Sequence, residues 1–235
     1  MGRKLSARKV ARHVLLYVVP AFIIGHVMVS VYRDYHPSDV QDTVPKLLPP
    51  PLPPRYEISK HATKYSPNGG TKEYGNLHNL DCGEQGALMG FQFNYDDVAE
   101  MVNNDFTCLT VVNGEIFGKR WSLKTPDSPS GSKWSSRNSM QQMSSHNVDC
   151  GEQFISQFKL QQWSVSMTVG YVCTGTKTPA PQDCERSKSA LVGRGDKASA
   201  FADAKVRCAV DTALTQFTYH AGVFEYTCCP KPQLK

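Results

Sequence analysis

Two copies of one short block hold most of the residues whose types and spacing could do chemistry. They are His78-Asn79-Leu80-Asp81-Cys82-Gly83-Glu84-Gln85 and His146-Asn147-Val148-Asp149-Cys150-Gly151-Glu152-Gln153. Imidazole and carboxylates this close together suit zinc, and an oxygen-rich loop around a glycine suits calcium. Asp81, Glu84, Asp149 and Glu152 are therefore the candidate metal ligands. Each copy falls short of a full ligand shell, however, and a third copy carries Arg207, Ala209 and Val210 at the matching places. The block is better read as a duplicated turn, in which Asp and Gly shape the chain after a cysteine. On that reading no metal and no cofactor is expected.

Catalysis needs a nucleophile with a base and an orienter, and no such pattern is present. There is no GxSxG, HExxH, Walker or Rossmann glycine motif, and every cysteine has an expected partner. An enzyme is not expected. Arg194-Gly195-Asp196 is the tripeptide that integrins read in adhesion proteins, but it is also ordinary loop chemistry.

The elements that must position these residues come from a threefold internal repeat. The first copy opens at His78–Phe93 and closes on Phe106-Thr107-Cys108. The second opens at His146–Leu160 and closes on Tyr171-Val172-Cys173. The third opens at Val206–Tyr219 and closes on Tyr226-Thr227-Cys228. Each copy is a cysteine, an apolar segment ending near a phenylalanine, a variable turn, then aromatic-x-Cys. Period-2 pairs (Phe91/Phe93, Phe158/Leu160, Phe217/Tyr219) and Val/Thr/aromatic-rich closing pieces predict strands. Asn113-Gly114 adds a hairpin signal, and Lys197–Val206 predicts at most one or two helical turns. The expected fold is an all-β domain of three pseudo-symmetric, disulfide-stapled repeats, prism-like or trefoil-like.

The repeat also proposes the cystines. Cys82–Cys108, Cys150–Cys173 and Cys208–Cys228 would each close one copy. Cys184 and Cys229 remain, and Cys229 must point away from its neighbour Cys228 if both lie on a strand. A Cys184–Cys229 bond on the other face satisfies that. No C-x-x-C pair exists to favour zinc instead. Eight cysteines in even number imply an oxidising compartment.

Charge divides the chain. Arg3, Lys4, Arg8, Lys9 and Arg12 precede residue 14, and no acidic residue appears before Asp34. Removing those five from 26 Lys+Arg leaves 21, against 21 Asp+Glu, so the basic excess is a tail and not a nucleic-acid-binding face. Val14–Tyr32 has no charged side chain, and its 19 residues would span about 28 Å as a helix. It predicts a single-pass transmembrane helix in contact with lipid. No small-x-small site follows it to suggest a cleaved signal. Gly2 with Ser6 fits a myristoylation pattern only superficially, a basic residue following the glycine. His26 inside the span is polar enough to face a protein neighbour. The expected organisation is a basic tail at 1–13, the helix at 14–32, a Pro-rich linker at 33–79 and the β domain at 80–235. Lys46–Pro54 should be an extended polyproline rod, and Thr125–His146 a polar loop within the domain.

The positive-inside rule leaves the tail in the matrix or cytosol and the domain across the membrane. Nine Asn follow the helix and none lies in N-x-S/T. RKLSARKVAR is basic, Ser-containing and acid-free, like a mitochondrial targeting segment. Both favour the inner membrane with the domain in the intermembrane space, over the cell surface. The partners expected are other subunits of a large complex, met through Val14–Tyr32 and the Pro-rich linker.

The C…F…[FY]-x-C repeats over residues 80–229, ending Phe224-Glu225-Tyr226-Thr227-Cys228-Cys229, resemble those of dermatopontin-type extracellular proteins, although the chain carries no D-R-x-W. That resemblance implies a cystine-stapled β fold used for matrix or carbohydrate contacts. Two functions are thus expected to compete: a non-enzymatic structural subunit, and an adhesion or glycan-binding module.

Overall fold

The computed structural model describes residues 50–70, 74–75, 78–115, 117–127, 140–163, 166–176, 183–193, 195–202 and 204–234. The basic tail, the predicted helix Val14–Tyr32, the linker up to residue 49, Arg194 of the tripeptide and 128–139 of the polar loop lie outside them. Among the described residues no helix is long and apolar enough to cross a membrane.

A compact unit runs from Pro51 to Lys235. It is all-β, with strands β1 (Arg55–Ala62), β2 (Ser66–Pro67), β3 (Asn79–Asp81), β4 (Gly86–Asp96), β5 (Met101–Val112), β6 (Phe117–Lys124), β7 (Asn147–Asp149), β8 (Phe154–Trp163), β9 (Ser166–Thr176), β10 (Glu185–Lys188), β11 (Lys205–Arg207), β12 (Thr212–His220) and β13 (Val223–Pro230). They form three antiparallel sheets. The first runs β1-β5-β4-β11, with β2 also on β5. The second runs β6-β9-β8-β3, and the third β10-β13-β12-β7.

All three sheets have the same make-up. A long hairpin (β4–β5, β8–β9 or β12–β13) lies between an edge strand and a three-residue strand that belongs to another copy of the repeat. Thus Leu80 of β3 opposes Phe158, Val148 of β7 opposes Phe217, and Val206 of β11 opposes Phe91. Each hairpin shifts register once, between Leu88 and Gly90, Ile155 and Gln157, and Leu214 and Gln216. A bulge leaves its extra residue out of the ladder, and here the freed carbonyls are used. Ser156, Thr215 and Met89 accept the N–H groups of Cys82, Cys150 and Cys208 at 2.9, 2.9 and 2.8 Å. Every repeat is therefore pinned to another by its opening cysteine.

Pairs at directly opposed positions share a face, so Phe91, Phe158 and Phe217 all point inward. Their ring centroids lie 4.9, 5.3 and 4.9 Å apart at edge-on or tilted angles, the geometry aromatic quadrupoles favour. Phe93, Phe201, Tyr219 and Phe224 extend this cluster, and the main core draws on all three sheets.

The four disulfides are Cys82–Cys108, Cys150–Cys173, Cys208–Cys228 and Cys184–Cys229, the pairings the repeat proposes. Cys228 belongs to the main core and Cys229 to a second, smaller cluster with Ala213 and Phe154. Adjacent strand residues face opposite ways.

Three expectations need correction. The Pro-rich linker does not extend to residue 79: β1 pairs with β5 along its whole length, from Arg55 opposite Val112 to Ala62 opposite Asp105. The Tyr56 hydroxyl donates to the Pro232 carbonyl at 2.7 Å, and burial pushes its pKa up to about 12. An edge strand exposed on one side needs few apolar residues, and RYEISKHA gives little alternation to detect. Asn113-Gly114 does not close a hairpin either. Asn113 does take a left-handed φ of 61°, but both edges of β5 are occupied by β1 and β4, so the chain turns away to β6 in the second sheet. Finally, the polar loop is partly interior. Met140–Ser145 forms a 3₁₀ turn whose Met140 and Met143 are buried in the main core. The other short turn, Ala198–Phe201, lies in the segment expected to be helical and buries Phe201.

Candidate functional site

Asp81 and Asp149 act first on their own backbone. The Asp81 carboxylate accepts the Gly83 N–H at 2.9 Å, and Asp149 accepts the Gly151 N–H at 2.7 Å. Gly83 and Gly151 sit at φ of 75° and 60°, a conformation glycine adopts without strain. Asp81 is also ion-paired with Arg120 at 2.9 Å. Glu84 and Glu152 are exposed at the same turns. Among the described residues no group of three or more His, Cys, Asp and Glu comes together. The structure thus leaves Asp81, Glu84, Asp149 and Glu152 as two separate turns.

His78 and His146 are held apart from these carboxylates. His78 is 1% exposed and stacks on Tyr74 with centroids 4.3 Å apart. Its ring nitrogens meet the hydroxyls of Thr63 and Ser66 at 2.6 and 2.7 Å. His146 is 4% exposed, with Nδ1 2.7 Å from the Thr125 hydroxyl. Thr125 Oγ1 in turn accepts the Val169 N–H at 2.9 Å. Burial lowers both imidazole pKa values to about 4, Asp127 opposing the shift at His146. Both rings are neutral struts. In the third copy Ala204 stands at the matching place, its N–H donating to the Phe201 carbonyl at 2.8 Å.

A stability prediction follows, because each folded pKa lies below the unfolded value near 6.5. The unfolded chain binds more protons between pH 6.5 and about 4, so stability falls as pH falls through that window. Each histidine is expected to cost roughly 3 kcal/mol by its lower end, at 1.36 kcal/mol per pKa unit. Urea midpoints at pH 7 and pH 4.5 measure this, and His78→Gln should flatten the slope.

The remaining features are clefts on the outward faces of the sheets. One of about 480 Å³ lies over the first sheet, one of about 410 Å³ over the third and one of about 420 Å³ over the second. Register gives their floors. Across the first sheet Lys60, Thr107, Gly90 and Arg207 form one row. The corresponding row of the second sheet is Ser122, Val172, Gln157 and Asp81. That of the third is Arg186, Thr227, Gln216 and Asp149.

The second and third floors are crossed by bonded side chains. Gln157 donates to Asn79 at 2.7 Å and accepts from Arg120 at 3.2 Å. Gln216 donates to Asn147 at 3.3 Å. The first floor has Gly90 there instead, and a Cβ at Gly90 would stand 2.3 Å from the Val206 carbonyl. The close approach of β11 requires the glycine and leaves the floor open.

Arg207, Ala209 and Val210, the residues that break the repeat in the third copy, all line this first cleft. Sequence reasoning registered them only as the loss of a metal block. The signal was present as a departure from the repeat. No protein-family model, curated protein or solved structure matches the chain.

Proposed function

We propose that the chain is a non-enzymatic structural subunit of a large membrane protein complex. A single-pass helix over Val14–Tyr32 anchors it in the bilayer. The Pro-rich segment behind the helix lies along partner subunits. The β unit is a pseudo-threefold scaffold, closer to a prism than to a trefoil, standing in an oxidising compartment. The mitochondrial intermembrane space is favoured by the basic, acid-free tail and the lack of N-x-S/T.

One observation carries the reading: three sheets of one make-up, locked by four disulfides, each turn a cleft-bearing outer face to the solvent. Such a body offers partner proteins several rigid faces. The identical strand orders and the central trio Phe91, Phe158 and Phe217 support the prism-like arrangement, since each facet is a sheet rather than a two-stranded hairpin.

The test is mild detergent extraction of the native membrane, then native electrophoresis with mass-spectrometric detection. Migration with a large assembly is the expected result. Migration as a small free species, with the chain labelled on intact cells, would instead favour a surface adhesion module of the dermatopontin kind. The half-buried Tyr171 lining the second cleft is the feature that speaks for that second reading, as a platform for a sugar ring.

A further inference from the structure

The cleft over the first sheet differs from the other two in charge placement as well as in its floor. Lys60 stands on β1 at one rim, and Lys205 and Arg207 stand on β11 at the other. None of the three is ion-paired among the described residues. A single carboxylate, Asp105, lies between them. In the third cleft, by contrast, Lys188 is already bonded to Glu225 at 2.6 Å. In the second, Lys124 and Lys159 flank a floor crossed by Gln157.

The rims of the first cleft are three strand spacings apart, about 14 Å at roughly 4.8 Å per strand. Four residues of extended chain cover nearly the same distance, at about 3.3 Å each. The cations at the rims therefore match two acidic side chains at positions i and i+4 of an extended segment. Two exposed apolar side chains also line the cleft: Ile58 is 49% exposed and Val210 73% exposed. A sugar would look for an exposed aromatic face, but Phe91 and Phe106 in this cleft are only 2% and 7% exposed. A peptide of alternating acidic and apolar residues answers both the charge and these apolar side chains.

We propose that the cleft of Lys60, Lys205 and Arg207 is a docking site for an extended acidic segment of a partner protein, laid across the strands of the first sheet. This rests on the subunit reading and names the chemistry of one of its contacts. Arg207 is what makes the site selective. The other two sheets carry Asp149 and Asp81 at its position, the latter already paired with Arg120, so neither offers an acidic ligand a free cation there.

The experiment uses the full chain in detergent micelles. The probe is a fluorescein-labelled nonapeptide with glutamates four residues apart, separated by valine and threonine. Anisotropy should report saturable binding that weakens as salt is raised from 50 to 300 mM. The glutamine version of the peptide should bind at least tenfold more weakly. The double variant Lys60→Ser, Arg207→Asp should also lose at least tenfold, with its melting midpoint unchanged. The control pair Lys124→Ser, Lys159→Ser should keep full affinity.

Equal binding of the glutamate and glutamine peptides would overturn the proposal. So would undiminished binding by the double variant, or tighter binding of a sulfated oligosaccharide at this cleft than of the peptide. Each of these can occur while the chain still migrates with a large assembly, so the site can fail without the subunit reading failing.

Discussion

Reducing all four cystines is expected to unfold the unit Pro51–Lys235 under conditions in which the oxidised protein stays folded. The bonds close loops with sequence separations of 26, 23, 20 and 45 residues. On the chain-entropy estimate each contributes about 3 kcal/mol. Four such terms reach roughly 12 kcal/mol, comparable to the whole stability of an ordinary domain. Cys108 and Cys173 are fully buried, so reductant must be added with mild denaturant to reach them. Near-UV circular dichroism during a denaturant titration, with and without dithiothreitol, measures the effect. A reduced chain with an unshifted midpoint would show that packing alone holds the sheets. The double variant Cys82→Ser, Cys108→Ser should lose about 3 kcal/mol by itself.

Phe158→Ala should have the next largest effect, about 3–5 kcal/mol of lost stability. Phe158 is 2% exposed and lies 4.9 Å from both Phe91 and Phe217, so it touches the other two sheets at once. It also opposes Leu80 of a strand from the first repeat. Truncation removes buried area and leaves a cavity where three sheets meet. Val98→Ala is the matched control: Val98 is 93% exposed at a hairpin tip, and its loss should change stability by less than about 0.5 kcal/mol. Equal effects at the two sites would remove the central aromatic cluster from the account.

Much of this fold was legible because the repeat writes it three times. The aromatic-x-Cys endings located the closing strands, and the spacing from each opening cysteine proposed three cystines. The adjacency of Cys228 and Cys229 then supplied the fourth. What escaped was non-local or defined by exception. The exchange of β3, β7 and β11 between repeats rests on three-residue pairings whose partners lie some 70 to 115 residues away, as with Leu80 opposite Phe158 and Val206 opposite Phe91. No local pattern encodes such a choice. β1 was hidden because a partly exposed edge strand tolerates charges, so Arg55, Glu57 and Lys60 masked Tyr56 and Ile58.

The roles of His78 and His146 were not legible, since the duplicated block shows the residues but not the side each takes. Residues an odd number apart along an extended chain point to opposite faces. The imidazoles went into the core while the carboxylates turned outward to cap Gly83 and Gly151. The cleft over the first sheet was visible only as a failure of the pattern. Gly90 replaces the glutamines at 157 and 216, and Arg207 replaces the aspartates at 81 and 149. Departures inside a repeat deserve the same scrutiny as its agreements.

Protease protection of intact native organelles tests most directly the proposal that the disulfide-locked β unit stands across the membrane from the basic tail. Protease is added outside, then after the outer boundary is opened, with thiols blocked throughout and the fragments mapped without reduction. The account predicts that peptides from 51–235 survive until that boundary is opened, and that they then appear joined as Cys82–Cys108, Cys150–Cys173, Cys208–Cys228 and Cys184–Cys229. Blocked, unpaired cysteines, or cleavage of the β unit from the same side as residues 1–13, would contradict it.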